Sequence, residues 1–347
     1  MTTSTTTQTP PQTDPAQMVF QLATGYILSA ALQTAVKLGI ADHLANGPRP
    51  TSELAAATAT NEDALYRVLR ALAMTGVFEE TGGRRFALTP LSELLRNGRP
   101  GLRDMALWLT SPFHFRVYSN ALESVRTGAP AAEKTVGMPV FEYLAGDREL
   151  SEIFNDAMTA FSAMVVPPVL EAYDFGGIGV LVDVAGGHGA VLTSILQKYP
   201  SMRGILMDVD HVIAGARGRI AAVNLQERCE AVAGDFFKAV PEGGDAYIMK
   251  HIIHDWDDER ASVILKNIRT ALAGKRQGKV ILLEAVIQEG NAPDLGKLID
   301  LEMLMMPGGR ERTADEFRAL FARSGFEMQR IVTTQSPLSV IEAVAIE

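Results

Sequence analysis

The chain has little cysteine, few aromatics and too few bases to balance its acids. One cysteine, Cys229, in 347 residues excludes an internal disulfide framework and fits a reducing compartment. Lysine and arginine number 32 against 41 aspartates and glutamates, a net charge of −9, which argues against a nucleic-acid surface because phosphate contacts need a basic footprint. No run is long and apolar enough to read as a membrane span: the most apolar early stretch is broken by Gln21, Thr24, Gln33 and Lys37. The opening residues, Thr-rich with neither a basic cluster nor an apolar core, do not read as a signal peptide. These absences favour a cytoplasmic protein without membrane attachment. What is present, 47% hydrophobic residues over a length that suits two domains, is enough to build sizeable cores.

The rest of the chain is organised around residues 180–200. Val180, Leu181, Val182 and Val184 form an apolar run typical of a strand covered on both faces. It ends in Gly186-Gly187-His188-Gly189, after which Val191, Leu192, Ile195 and Leu196 recur at helical spacing. A strand, a glycine turn and a helix open a nucleotide-binding α/β sheet, the glycines letting a ligand approach the helix N-terminus. The pattern departs from the dinucleotide fingerprint, since no further glycine follows one turn later. Asp183 stands inside the strand end. This form suits a ligand without a pyrophosphate, such as S-adenosylmethionine.

Residues 1–15, mostly Thr, Gln and Pro, read as a disordered tail, residues 16–165 as a helical region and residues 166–347 as the sheet domain. Val19, Leu22, Tyr26 and Ala30 share one helical face early in the second segment. Two short helices, Thr51–Ala57 and Asn61–Met74, precede two short strands around Gly82-Gly83, the order of a winged helix. Its possible recognition helix carries only Arg67 and Arg70 beside Glu62 and Asp63, which favours packing or dimerisation over DNA reading. Farther on, Phe154, Met158 and Phe161 lie on a helix as core or as a pocket wall.

In the sheet domain, alternating strands and helices predict a mostly parallel sheet with its ligands at the C-terminal strand ends. Asp208 ends the second strand, where an acid can accept hydrogen bonds from ribose hydroxyls. Asp235 and Phe236 follow the third, as an adenine site or as an ordinary turn with a core phenylalanine. His254 follows the fourth and can act as a general base, and Glu284 ends the fifth. Asp257, Asp258 and Glu259 are helix-start acids rather than metal ligands, and Thr313 with Glu316 is a capping box.

Taken together these segments resemble the S-adenosylmethionine-dependent O-methyltransferases of the caffeic-acid and acetylserotonin type and their bacterial natural-product relatives. The motifs are Val182 to Gly189, Gly234-Asp235-Phe236-Phe237, His254-Asp255-Trp256 and Gly308 to Thr313. The resemblance implies a Rossmann-like α/β methyltransferase sheet behind an N-terminal winged-helix dimerisation domain, and a homodimer. It implies His254 as the base framed by Glu284 and Glu311. Cofactor contacts would come from Ser162, Asp183, Ala185, Gly186, Gly187, Asp208, Asp235, Phe236 and Lys250. Phe154, Met158, Phe161, Met303 and Met306 would line the site of an aromatic acceptor. Ala185 departs from the pattern, which usually has a third glycine there, and Met306 replaces a polar residue of some plant members.

The implied reaction is methyl transfer from S-adenosylmethionine to a hydroxyl, expected to be phenolic, without a metal. The sulfonium already activates the methyl group, so the protein supplies alignment, worth roughly 7–11 kcal/mol, and a base, worth roughly 10²–10⁴-fold. Two other readings stay open: a relative that binds the cofactor but performs hydroxylation, decarboxylation or pericyclic chemistry, and a cofactor-responsive DNA-binding regulator.

Overall fold

A computed structural model describes residues 14–275 and 277–346. The expected tail lies outside the described residues as far as residue 13. Asp14 already caps the first helix, Pro15–Lys37, by accepting from the Ala16 N–H at 3.2 Å. Two compact units result, one ending at Ser111 and one starting at Pro112. The sequence division at 165/166 falls inside a single helix, Arg148–Ala172.

In the first unit, helices Thr51–Thr58 and Glu62–Ala73 pack with strands β1 (Arg49–Pro50), β2 (Phe78–Gly82) and β3 (Arg85–Leu88). The strands form an antiparallel sheet in the order β1-β3-β2, so the winged-helix order gains a two-residue strand too short for periodicity to show. Asn61 caps the second of these helices by accepting from the Ala64 N–H at 3.0 Å. Leu54, Leu65, Leu69, Leu72, Phe78 and Phe86 fill the core. On the candidate recognition helix, Arg67 is paired with Asp63 at 2.8 Å. The first helix behaves differently. Phe20 (68% exposed), Leu22 (79%) and Tyr26 (66%) face outward, while its buried residues, Ala31, Ala35 and Val36, gather near the C-terminal end.

The second unit carries seven strands in the order β6-β5-β4-β7-β8-β10-β9: β4 (Val180–Val184), β5 (Arg203–Asp208), β6 (Cys229–Ala233), β7 (Ala246–Lys250), β8 (Lys279–Glu284), β9 (Phe326–Thr333) and β10 (Ser339–Ala345). The first five are parallel, whereas β10 runs antiparallel to both β8 and β9. The chain proceeds outward from β4 through β5 and β6, then returns to β7 on the other side. The strand order therefore switches between β4 and β7, where α/β sheets hold their ligands. Val182, Val184, Tyr247, Met249, Val280 and Leu282 pack on this sheet beneath Ile264, Leu265 and Ile268 of the Asp258–Ala271 helix.

Pro15–Lys37 and Arg148–Ala172 are each long and apolar enough, by length and composition, to cross a membrane. The second carries Pro167 and Pro168 and buries Phe161, Val165, Val166 and Val169, as a core helix does.

Candidate active site

The glycine turn joins β4 to the helix Ala190–Lys198, with one residue under strain. Asp183 is 1% exposed at the end of β4, and burial pushes its carboxyl up to about 7. A Cβ on Gly186 would stand 2.5 Å from both that carboxylate and the Leu206 side chain, so only glycine fits. Ala185 nevertheless takes φ +56°, a left-handed backbone at a position where a side chain is strained. The neighbouring strand anchors the turn: Asp208 Oδ2 accepts from the Gly187 N–H and Oδ1 from the Val209 N–H, both at 2.7 Å. Beyond β6, Asp235 accepts from the Phe237 N–H at 3.0 Å and pairs with Lys238 at 3.2 Å. All nine residues assigned to the cofactor line one cavity of ≈530 Å³.

Behind the far wall of this cavity sits the candidate base. His254 lies in a single 3-10 turn, Ile253–Asp255, and is 5% exposed. Its Nδ1 is 2.6 Å from Glu311 Oε1 and 3.8 Å from Glu284 Oε2, and its Nε2 is 3.5 Å from Asp255 Oδ1. Glu284 Oε1 also accepts the N–H groups of Ile252 and Ile253 at 3.1 and 3.0 Å, so the end of β8 holds the turn that carries the histidine. The Gly308–Thr313 loop closes from above. Arg310 N–H donates to His254 O at 2.8 Å, and a Cβ on Gly309 would come within 2.0 Å of that oxygen. Fully buried Arg312 donates to the carbonyls of Ile253 and Trp256 and to Asp258, clamping both ends of the turn.

Burial, ahead of any charge, raises the acids here: Glu284 to about 7, Glu311 to about 8 and Asp255 to about 7. With Glu311 ionised, its carboxylate can only accept, so Nδ1–H donates to it and the lone pair of the neutral ring is on Nε2. Lys250 is pulled below the usual lysine range by burial, against the attraction of Glu284 and Asp183.

Not every assigned residue reaches the cavity. Phe154 and Met158 line it, while Phe161 lies behind His251 with ring centroids 5.0 Å apart. Met303 and Met306 are buried and do not line it, nor do His254, Glu284 and Glu311. The wall next to the base is made by His251 and Asp255, which spacing alone did not single out. Arg312 was also missed, although its place inside the Gly308–Thr313 motif was a signal that could have flagged it. Among the described residues, His251, His254, Glu284 and Glu311 bring one donor atom each within 4.8 Å of one another. Two histidines and two carboxylates could hold a transition ion, but the short His254–Glu311 contact already engages two of those donors.

Comparison with known proteins gives the family of the chain. Residues 20–98 match the family model for the O-methyltransferase dimerisation domain, and residues 118–327 match that for the O-methyltransferase domain. The chain is 43% identical to a phenazine O-methyltransferase of Lysobacter antibioticus over 329 residues, covering 94% of this chain and 96% of the relative. It is 35% identical to the 8-amino-8-demethylriboflavin N,N-dimethyltransferase of Streptomyces davaonensis, covering 96% of each. Among solved structures, a methyltransferase of calicheamicin biosynthesis with S-adenosylhomocysteine bound superposes with a TM-score of 0.84 at 35% identity, covering 96% of this chain and 100% of that one.

Proposed function

The chain belongs to the S-adenosylmethionine-dependent O-methyltransferases, and from that premise we propose that it methylates a phenolic hydroxyl of an aromatic small molecule with His254 as general base. The observation that carries this reading is the 2.6 Å contact between His254 Nδ1 and Glu311 Oε1 beside the cofactor cavity. An amine acceptor with a free lone pair needs no base, so a buried histidine backed by two carboxylates favours a hydroxyl, although relatives of both kinds exist.

The residues suit the cofactor. Asp183 Oδ2 is buried without a partner at the cavity, and the backbone of Gly186 passes so close to that carboxylate that a Cβ there would meet it. When bound, S-adenosylmethionine supplies a methyl group already activated by a sulfonium. Asp208 and the Gly186-Gly187 backbone hold the nucleoside and amino-acid ends, Asp235 and Phe236 the adenine, and Ser162 and Lys250 the remaining wall. Phe154 and Met158 hold the acceptor ring against the His251 and Asp255 wall beside His254, with Phe161 packed on His251. His254 Nε2 would accept the proton of the acceptor hydroxyl, and Glu311 and Glu284 would stabilise the imidazolium that results.

The protein works as a homodimer through the first unit, whose outward apolar side chains at Val19, Leu22 and Tyr26 share one helical face that needs a partner. The single cysteine suits a cytoplasmic location. The test is mass spectrometry of products from a panel of phenols and arylamines incubated with S-adenosylmethionine. O-methylated products are expected, and N-methylated products alone would reject the hydroxyl.

A further inference from the structure

Glu311 stands in a loop, so the aim of its carboxylate depends on what holds the backbone that carries it. The peptide groups on either side of its Cα set the direction in which the side chain leaves. The neighbouring tethers of this loop are main-chain or local. The Gly308 N–H donates to Met303 O at 2.9 Å, the Arg310 N–H to His254 O at 2.8 Å and the Ile287 N–H to Arg312 O at 3.0 Å. The Thr313 N–H donates to Glu316 of its own capping box at 2.8 Å. The Glu311 N–H differs: it donates at 2.9 Å to Asp300 Oδ1, a side chain from another element. Asp300 is half-buried in the helix Leu295–Met305.

That helix is anchored on both sides of Asp300. At its start Asp294 accepts the Gly296 N–H at 2.8 Å and the Gln288 N–H at 3.1 Å. Near its end Glu302 accepts from the Tyr118 hydroxyl at 2.5 Å and meets His114 Nε2 at 2.9 Å. Without Asp300, the peptide that precedes Glu311 is left with the longer contact from Arg312 Nη1 to Arg310 O, 3.3 Å. Glu311 is 2% exposed, so water is a poor substitute and the peptide would turn toward another acceptor. The carboxylate would turn with it. Glu311 Oε2 has no hydrogen-bond partner among the described residues, so nothing at the far end of the side chain corrects a misplaced backbone. A displacement of about 1 Å at a catalytic contact can cost roughly 10²-fold in rate.

We propose that Asp300 is a positioning residue for the reaction: by accepting the Glu311 N–H from an anchored helix, it keeps the Glu311 carboxylate on His254 Nδ1. The proposal rests on the reading of His254 as the base. Asp300 acts through Glu311 and touches neither the base nor the acceptor. Any side chain that places an accepting oxygen there does the same.

The test is proton NMR of the full-length enzyme, labelled with isotopic histidine and saturated with S-adenosylhomocysteine. The pH is set above the value of about 8 to which Glu311 is raised. An imidazole N–H held by a carboxylate at 2.6 Å gives a strongly deshielded resonance, identified by its absence in His254→Ala. Asp300→Ala is expected to lose this resonance or move it upfield. Asp300→Asn, whose amide oxygen still accepts, is expected to keep it. Turnover follows the same order. On the phenol that product analysis identifies, kcat of Asp300→Ala should fall by roughly tenfold or more with little change in KM, and Asp300→Asn should recover most of it. A residue that only stabilised the fold would lower the thermal midpoint and leave the resonance in place.

Unchanged affinity for S-adenosylhomocysteine shows that each variant is folded. Were Asp300→Ala to fail that control, Asp300→Leu takes its place, with similar bulk and good helix propensity but no oxygen. Failure of both makes Asp300 a structural residue and overturns the proposal. It is likewise overturned if wild type lacks the resonance, if the variant without an oxygen keeps it, or if Asp300→Asn loses it. Should His254→Ala methylate at the wild-type rate while the resonance still follows Asp300, it is the reading of His254 as the base that fails.

Discussion

His254 Nδ1 and Glu311 Oε1 lie 2.6 Å apart, joined across 57 positions of sequence by the loop that Arg312 clamps onto the histidine turn. The contact fixes which ring nitrogen is free, because an ionised carboxylate only accepts. His254→Ala should therefore cut turnover on a phenol by roughly 10²–10⁴-fold, and Glu311→Gln should cost less, since it weakens the orientation of the base but leaves the base in place. Single-turnover methyl transfer at saturating cofactor measures both. Wild-type rates for His254→Ala on the least acidic acceptor would remove it from the chemistry.

Ala185 offers a gain instead of a loss. At φ +56° its Cβ is strained, and glycine relieves that strain at some cost in unfolded-chain entropy. Ala185→Gly should stabilise the protein by about 0.5–1 kcal/mol, the left-handed penalty less the entropy of glycine. Denaturant unfolding of the free enzyme reads this directly, and a destabilised variant would contradict it.

What was legible in the sequence follows the range of the interactions. Asp183, Gly186, Asp208 and Glu284 sit at strand ends, where local periodicity locates the strand and the fold class locates its C-terminal edge. Glu311 belongs to no such pattern: its role comes from a loop folding back over His254, and only resemblance pointed to it. Ala185 was visible as a missing glycine, but its positive φ was not. Met303 and Met306 were assigned to the acceptor site through the family pattern, whereas here they are buried and do not line the cavity. His251 carries its signal in a dihedral angle and an unpartnered nitrogen, neither of which a string of residues displays.

The outward face of the first helix gives a direct test of the dimer. Leu22 is 79% exposed, so Leu22→Asp removes no packing within the described chain. Light scattering should find wild type at twice the chain mass, and the variant shifted toward monomer with unchanged helical content. A monomeric wild type at micromolar concentration would reject the dimer.

The buried acids predict opposite effects of pH on stability and on rate. Glu284 is raised from its ordinary 4.5 to about 7, and Glu311 from the same value to about 8. Between the unfolded and folded values the native state holds protons that the unfolded chain has released. The stability they contribute is complete below the unfolded value and is lost as pH rises through 7 to 8. His251 acts in the other direction, but only near and below its ordinary 6.5, where the unfolded chain binds the extra proton. Above that pH the raised carboxylates lower stability while Lys250, held below the usual lysine range, acts the other way, and the thermal midpoint of the free enzyme should fall as pH is raised through 7 to 8, where the carboxylates titrate. Over the same range methyl transfer should accelerate, because an ionised Glu311 stabilises the imidazolium formed on His254 and a protonated one does not. The two profiles report one shared titration rather than a property of either residue. Glu311→Gln removes the most strongly raised member, so its midpoint should decline less steeply than that of wild type and its rate should rise less. Calorimetry and single-turnover rates in matched buffers of constant ionic strength compare the two proteins. If the variant follows the wild-type curve in both measurements, Glu311 is not the group that carries the proton.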